Sequence, residues 1–145
     1  MATFERHAEV NWHGGLNDGK GDAKAGTGAF TLPVTFASRI QDPQGRTSPE
    51  ELMAAAHAAC YAMALNATLG RKSASAERTV VTAKVTADLG TGITIQSSHL
   101  SVTVYGLKGL EPAQFEAVAQ EAEKGCPVSN AYRGSLKITL DAKVG

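Results

Sequence analysis

The sequence predicts an α+β domain in which antiparallel sheet and helices are segregated, and three observations carry that expectation. The periodic segments run in the order strands, long helix, strand pair, helix, strand. Ser48-Pro49-Glu50-Glu51 is a strong helix start, with a capping hydroxyl, a proline suited to the first helical position and a capping-box carboxylate. Gly90-Thr91-Gly92 lies between two alternating runs and reads as a hairpin link. At 145 residues the chain has the length of one domain, residues 1–145, and can bury enough surface to fold without a metal or disulfide.

Taken in order, Ala8, Val10 and Trp12 alternate with polar residues, and Gly14-Gly15 closes that strand. Gly19 to Gly28 is a glycine-punctuated stretch. Phe30, Leu32, Val34, Phe36 and Ile40 then keep period two, predicting a strand over residues 29–40 that puts Arg39 on the face opposite Phe36 and Ile40. Gln41 to Thr47 reads as a turn. The helix opened by Ser48 runs to about Leu69, where Gly70 can stop it in a left-handed cap. From Leu52 to Leu65 it is apolar on nearly every side and carries seven alanines, so it is a central helix that another backbone can approach closely. Residues 78–89 and 93–105 alternate, the first with one slip. A second helix over 111–124 buries Phe115, Val118, Ala119 and Ala122 and ends at Gly125; residues 126–132 add one or two helical turns. Leu136, Ile138 and Leu140 make a last strand.

Lys plus Arg and Asp plus Glu both number 14, so the formal charge is +0 and no general basic face exists for nucleic acid or an anionic membrane. With 43% hydrophobic and 19% charged residues the chain lies outside the disordered range. The first thirty residues lack the apolar core of a secretion signal, and a cytoplasmic protein is expected. The apolar run from Leu52 to Leu65 is short for a bilayer span and carries His57, so no membrane partner is expected.

In a reducing cytosol two cysteines are redox-active, metal-binding or simply buried. Cys60 sits mid-helix, where a small core hydrophobe is one reading. Cys126, between Gly125 and Pro127, is expected at the N-cap of a short helix, where free N–H groups and the positive helix end favour a thiolate. His57 and Cys60 share a helix face, but no C-x-x-C and no second close ligand pair accompany them, and His7, His13 and His99 lack ligand spacing. No metal or cofactor is therefore expected, and His57 is expected to hydrogen-bond a neighbour. A Cys–His acyl-transfer site lacks an oxyanion-forming turn.

Thr47-Ser48-Pro49-Glu50-Glu51-Leu52, then Ala55-Ala56-His57-Ala58-Ala59-Cys60, then Lys124-Gly125-Cys126-Pro127-Val128-Ser129 resemble the OsmC/Ohr family of osmotically inducible protein C and organic hydroperoxide resistance proteins. The AAHAAC segment, Trp12, Arg39 and the terminal strand resemble the OsmC branch. The resemblance spans essentially the whole chain. It implies an intertwined homodimer with sheets from both chains around two central helices. It further implies a thiol peroxidase in which Cys60 attacks the peroxide, Cys126 resolves the product as a disulfide, and Arg39 and Glu50 activate the thiolate. The implied substrate is an organic hydroperoxide, with hydrogen peroxide a poorer one, and the implied reductant is a lipoyl-type or small dithiol. Where the family often has Gly and Asn around Thr47, this chain has Arg46 and Ser48, so Arg46 stands beside Arg39 as a second candidate cation.

The chemistry fits these residue types. A peroxidase needs a thiolate, and burial in an apolar helix pushes a thiol's pKa up, so a cation must offset it. Arginine stays charged, and a glutamate can hold it bidentately. Glu50 and Cys60 are ten residues apart, about 15 Å of helix rise, so they do not touch within one helix. Either a long arginine bridges them or Glu50 arrives from the partner chain. Position nominates Cys126 as the readier thiolate, while the resemblance nominates Cys60 as the attacker. Leu52, Met53, Phe36 and Met63 are expected to line an apolar approach. The rival readings are a non-enzymatic thiol sensor or small-ligand binding module on the same fold, and a structural dimer whose cysteines only pack.

Overall fold

A computed structural model describes residues 2–145 and divides into two compact units, one ending at Leu52 and the other spanning Met53–Gly145. In the first, β1 (Ala8–His13), β2 (Lys20–Ala25) and β3 (Thr31–Val34) form an antiparallel sheet in sequential order. The strand β2 occupies the first part of the glycine-punctuated stretch, to which the sequence assigned no element. Its inward file is Gly21, Ala23 and Ala25, small residues that give no hydrophobic alternation to read. At Gly21, and at Gly19 just before the strand, the cause is the Trp12 ring. A Cβ at Gly21 would stand 2.9 Å from the Trp12 ring, and one at Gly19 would stand 2.7 Å from its Nε1.

The expected strand over 29–40 is corrected: β3 ends at Val34, and residues Phe36–Ile40 are the helix α1. The reason is a reciprocal cap. The Ser38 N–H donates to Thr35 Oγ1 and the Thr35 N–H donates to Ser38 Oγ, both at 3.0 Å, which satisfies donors a strand would have left to a ladder. Arg39 thus rides in the last turn of a helix rather than on a strand face.

The helix α2 (Pro49–Arg71) begins in this unit and continues into the next. Ser48 caps it by accepting the Glu51 N–H at 3.2 Å, as expected, but the Glu51 carboxylate accepts from Thr47 Oγ1 at 2.8 Å instead of closing a capping box. Its end is corrected too. Gly70 stays helical, and the left-handed residue is Ser73 at φ 55°. The Ala74 N–H reaches Leu69 C=O and the Ser73 N–H reaches Gly70 C=O, a Schellman closure built without glycine.

In the second unit, β4 (Arg78–Leu89) and β5 (Ile93–Tyr105) pair antiparallel, with a bulge between Thr86 and Ala87, away from the slip in the apolar alternation between Val80 and Ala83. A 3₁₀ turn (Pro112–Gln114) leads into α3 (Phe115–Gly125), followed by α4 (Pro127–Tyr132). The last strand, β6 (Lys137–Val144), pairs parallel with β5, so this sheet is mixed. The intervening helices supply the crossover that a parallel pair requires. The core joins Leu100, Val102 and Val104 of β5 to Tyr61, Leu65 and Leu69 of α2 and to Phe115, Val118, Ala119 and Ala122 of α3. The Tyr61 hydroxyl is satisfied by donating to Ala119 C=O at 3.0 Å. By length and mean hydropathy (1.3 over its most apolar window) α2 could pass for a membrane span. Its inner face is that of a core helix, packed on a sheet and carrying a buried histidine.

Candidate functional site

The two expected groups of site residues fall one in each unit. In the first unit Arg39 and Glu50 form the expected clamp. Arg39 Nε donates to both Glu50 oxygens at 2.9 and 3.1 Å, and Nη2 donates to Oε1 at 2.6 Å. The carboxyl side chain is 13% exposed and the guanidinium 29%. Burial alone would raise the Glu50 pKa; hydrogen bonding and Coulomb attraction from Arg39, with a backbone hydrogen bond, outweigh it and hold the carboxyl below its ordinary value. Glu50 is therefore a carboxylate near neutrality, and its three hydrogen bonds hold Arg39 in one orientation. Arg46 is exposed, and its own N–H donates to Pro43 C=O. Beside Arg39 lies an open cavity of about 250 Å³ whose lining includes Trp12, Leu16, Val34 and Phe36.

In the second unit the fold brings Cys60 and Cys126 together although they lie 66 positions apart. Both are free thiols. Cys126 occupies the N-cap of α4, as expected, and its side chain makes no capping hydrogen bond. It is fully buried, whereas Cys60 is half-buried and borders an open cleft of about 310 Å³ with Met63, Ala64, Ala67 and Pro127. Of the four apolar residues expected along the approach, Met63 lines this cleft and Phe36 lines the cavity beside Arg39; Leu52 and Met53 line neither. Burial pushes the Cys60 thiol up from its ordinary value. A backbone hydrogen bond from Val128 opposes the rise, and interaction with the Cys126 thiol adds to it.

His57 does hydrogen-bond its neighbours, and it has two. Its Nδ1 lies 2.6 Å from Ser98 Oγ and its Nε2 lies 2.7 Å from Ser129 Oγ, all three residues being fully buried. Burial lowers the His57 pKa, against the opposing Glu123 carboxylate, so the ring is neutral. One ring nitrogen then donates and the other accepts. Sequence reasoning gave neither serine a role, although Ser129 closes the third family motif. A signal existed for one: Ser98 occupies the same strand parity as Leu100, Val102 and Val104, a polar residue in a buried file. Glu123, also buried, was missed as well; it accepts from Arg133 Nη2 at 2.9 Å.

Residues 42–141 match the family described as OsmC-like protein. Peroxiredoxin OsmC of Escherichia coli is 34% identical over 96% of this chain and 96% of its own. The organic hydroperoxide resistance protein OhrA of Bacillus subtilis is 35% identical, covering 71% of this chain and 72% of its own. A crystal structure of an organic hydroperoxide resistance protein OsmC from Legionella pneumophila superposes with a TM-score of 0.77 at 26% identity, covering 99% of both chains. The family match spans most of the sequence and the two-sheet fold is shared almost end to end, so this chain belongs to the OsmC-like protein family.

Proposed function

We propose that this chain is a dimeric, cytoplasmic cysteine peroxidase that reduces organic hydroperoxides. The single observation that carries this reading is the thiol pair: one cysteine at an open, largely apolar cleft, the second buried against it and free of any capping duty. The names of the relatives support peroxide chemistry. In the first step the Cys60 thiolate attacks the terminal peroxide oxygen, the O–O bond breaks, and ROH leaves after taking a proton. Cys60 becomes a sulfenic acid, oxidised by two electrons. The Cys126 thiolate then attacks the Cys60 sulfur and water departs, leaving a Cys60–Cys126 disulfide. An external dithiol, lipoyl-type or small, returns both thiols by exchange. Arg39, clamped by Glu50, is the cation that favours the Cys60 thiolate.

Steady-state peroxide consumption with a dithiol tests the reading. Many turnovers are expected, faster with cumene hydroperoxide than with hydrogen peroxide because the cleft is apolar. Stoichiometric thiol loss without turnover would instead mark a sensor, and no thiol loss would mark a structural protein.

The assembly follows from α2. Ala55, Ala56 and Ala59 are exposed along one stripe that runs on to Met63, at 73% exposure, and Ala67 at the rim of the Cys60 cleft, where a partner would form a wall of the cleft. Five small or apolar residues facing water on a helix of this hydropathy call for a cover, and a second copy related by two-fold symmetry presents the matching stripe. Light scattering at micromolar concentration is expected to give twice the 15.1 kDa chain mass; a monomer would overturn the assembly.

A further inference from the structure

The helices α2 and α4 are tied by contacts that step along both in opposite directions. Cys126 meets Cys60. Three residues on, Ser129 Oγ meets His57 Nε2 at 2.7 Å. Three further on, the Tyr132 hydroxyl donates to Met53 C=O at 3.0 Å, and its ring packs edge-on to His57 with centroids 5.2 Å apart. Residues 126, 129 and 132 thus face 60, 57 and 53. The spacing of three or four is that of one helix face, so these contacts form a single seam. His57 is further moored to β5 by Ser98. Burying an imidazole and two hydroxyls is costly unless each is paired, and each is paired here. Apolar residues would fill the same space, but they would set no register, whereas a hydrogen bond of fixed length and direction does.

We infer that the His57–Ser129 hydrogen bond, anchored by Ser98 and seconded by Tyr132–Met53, is a positioning device for disulfide closure, holding Cys126 where it can attack the Cys60 sulfenic acid. The inference rests on the cysteine reading above and goes beyond it by giving the second step its own residues. Two fates compete for the sulfenic acid. In one, the Cys126 thiolate displaces water and forms the disulfide. In the other, a second ROOH transfers oxygen to the Cys60 sulfur, giving sulfinic acid and ROH. Disulfide bonding tolerates only a narrow geometry, so loosening α4 slows closure more than it slows the attack of Cys60 on peroxide, which loses at most the Val128 backbone hydrogen bond.

The test reads that partition at Cys60 by mass spectrometry over a range of cumene hydroperoxide concentrations. The rate of the first thiol loss is measured alongside it. In Ser129→Ala the yield of sulfinic acid per turnover is expected to rise about tenfold, the effect of leaving a buried nitrogen unpaired at the α2–α4 seam. First thiol loss slows by much less than the partition shifts, because only the Val128 hydrogen bond links α4 to that step. Ser98→Ala removes a hydrogen bond of similar burial from the same ring but leaves the seam intact, so its partition shifts less. Tyr132→Phe deletes only the third contact and carries the same test should Ser129→Ala fail to fold, with a smaller rise expected. An unchanged partition in a folded Ser129→Ala or, failing that, in Tyr132→Phe overturns the inference, as does an equal shift in Ser98→Ala, which would mark general loosening. If the unsubstituted protein forms no Cys60–Cys126 disulfide, the cysteine reading itself fails, a result distinct from the others.

Discussion

Cys60→Ser is expected to abolish peroxide turnover, while Cys126→Ser still consumes one peroxide per chain to reach the sulfenic acid and a second as that acid overoxidises, and then stops. The difference follows from access. Cys126 is fully buried, whereas Cys60 borders the open cleft, so a peroxide meets Cys60 first. A serine hydroxyl at position 60 does not ionise near neutrality and is a far weaker nucleophile than a thiolate. In Cys126→Ser the sulfenic acid at Cys60 has no thiol partner and is carried on to sulfinic acid by excess peroxide. Peroxide consumption with dithiol, together with the oxygen count on Cys60 by mass spectrometry, separates the two variants. Catalytic turnover by Cys60→Ser would reverse the assignment and give the first attack to Cys126. On local position alone Cys126 had the stronger claim, at a helix start with free N–H groups nearby. Burial removes that claim, because a thiol that a peroxide cannot reach is suited to the second step.

The Ser48 cap and the hairpin signal translated faithfully into structure because they are local. Ser48 caps α2, and the Gly90-Thr91-Gly92 link joins β4 to β5 over the predicted bounds. The errors share a cause as well. In β2 the inward Gly21 is glycine because Trp12 of the paired strand lies against its backbone, a contact that the alternation of β2's own residues does not carry. At Thr35 the alternation of apolar residues continued, and a two-residue cap overrode it; Thr35 and Ser38 were the available signal. The parallel pairing of β6 depends on how α3 and α4 cross over, not on its own residues. The site divides the same way. The cysteines and the Arg39–Glu50 clamp were legible through family motifs, whereas the Ser98–His57–Ser129 chain joins residues 41 and 72 positions apart. A buried polar contact at such a separation leaves only a parity anomaly in one strand.

Arg39→Met is expected to move the pH profile for loss of the Cys60 thiol upward by at least about one unit, with roughly tenfold less thiolate and a matching rate loss at pH 7. The sign follows from the acid involved. A thiol releases a proton to become the nucleophile, so removing a cation that favours the thiolate destabilises the product of ionisation and raises the pKa. Burial already holds Cys60 above its ordinary value, and the Val128 backbone hydrogen bond does not cancel that rise. Each unit of offset requires about 1.4 kcal/mol of preference for the thiolate, which is within the reach of one well-held guanidinium. Arg39 is well held: three hydrogen bonds to Glu50 fix it, and methionine keeps much of its bulk while removing the charge. Glu50→Gln should cost less, since the cation survives but loses its ionic clamp. Arg46→Met should leave the profile in place, because Arg46 is exposed and Glu50 is engaged by Arg39. The profile is read by stopped-flow thiol loss against pH in each variant. A shift with Arg46→Met and none with Arg39→Met would transfer the role to Arg46. No shift in either would remove the charge pair from the mechanism and leave the thiolate to backbone donors such as that of Val128.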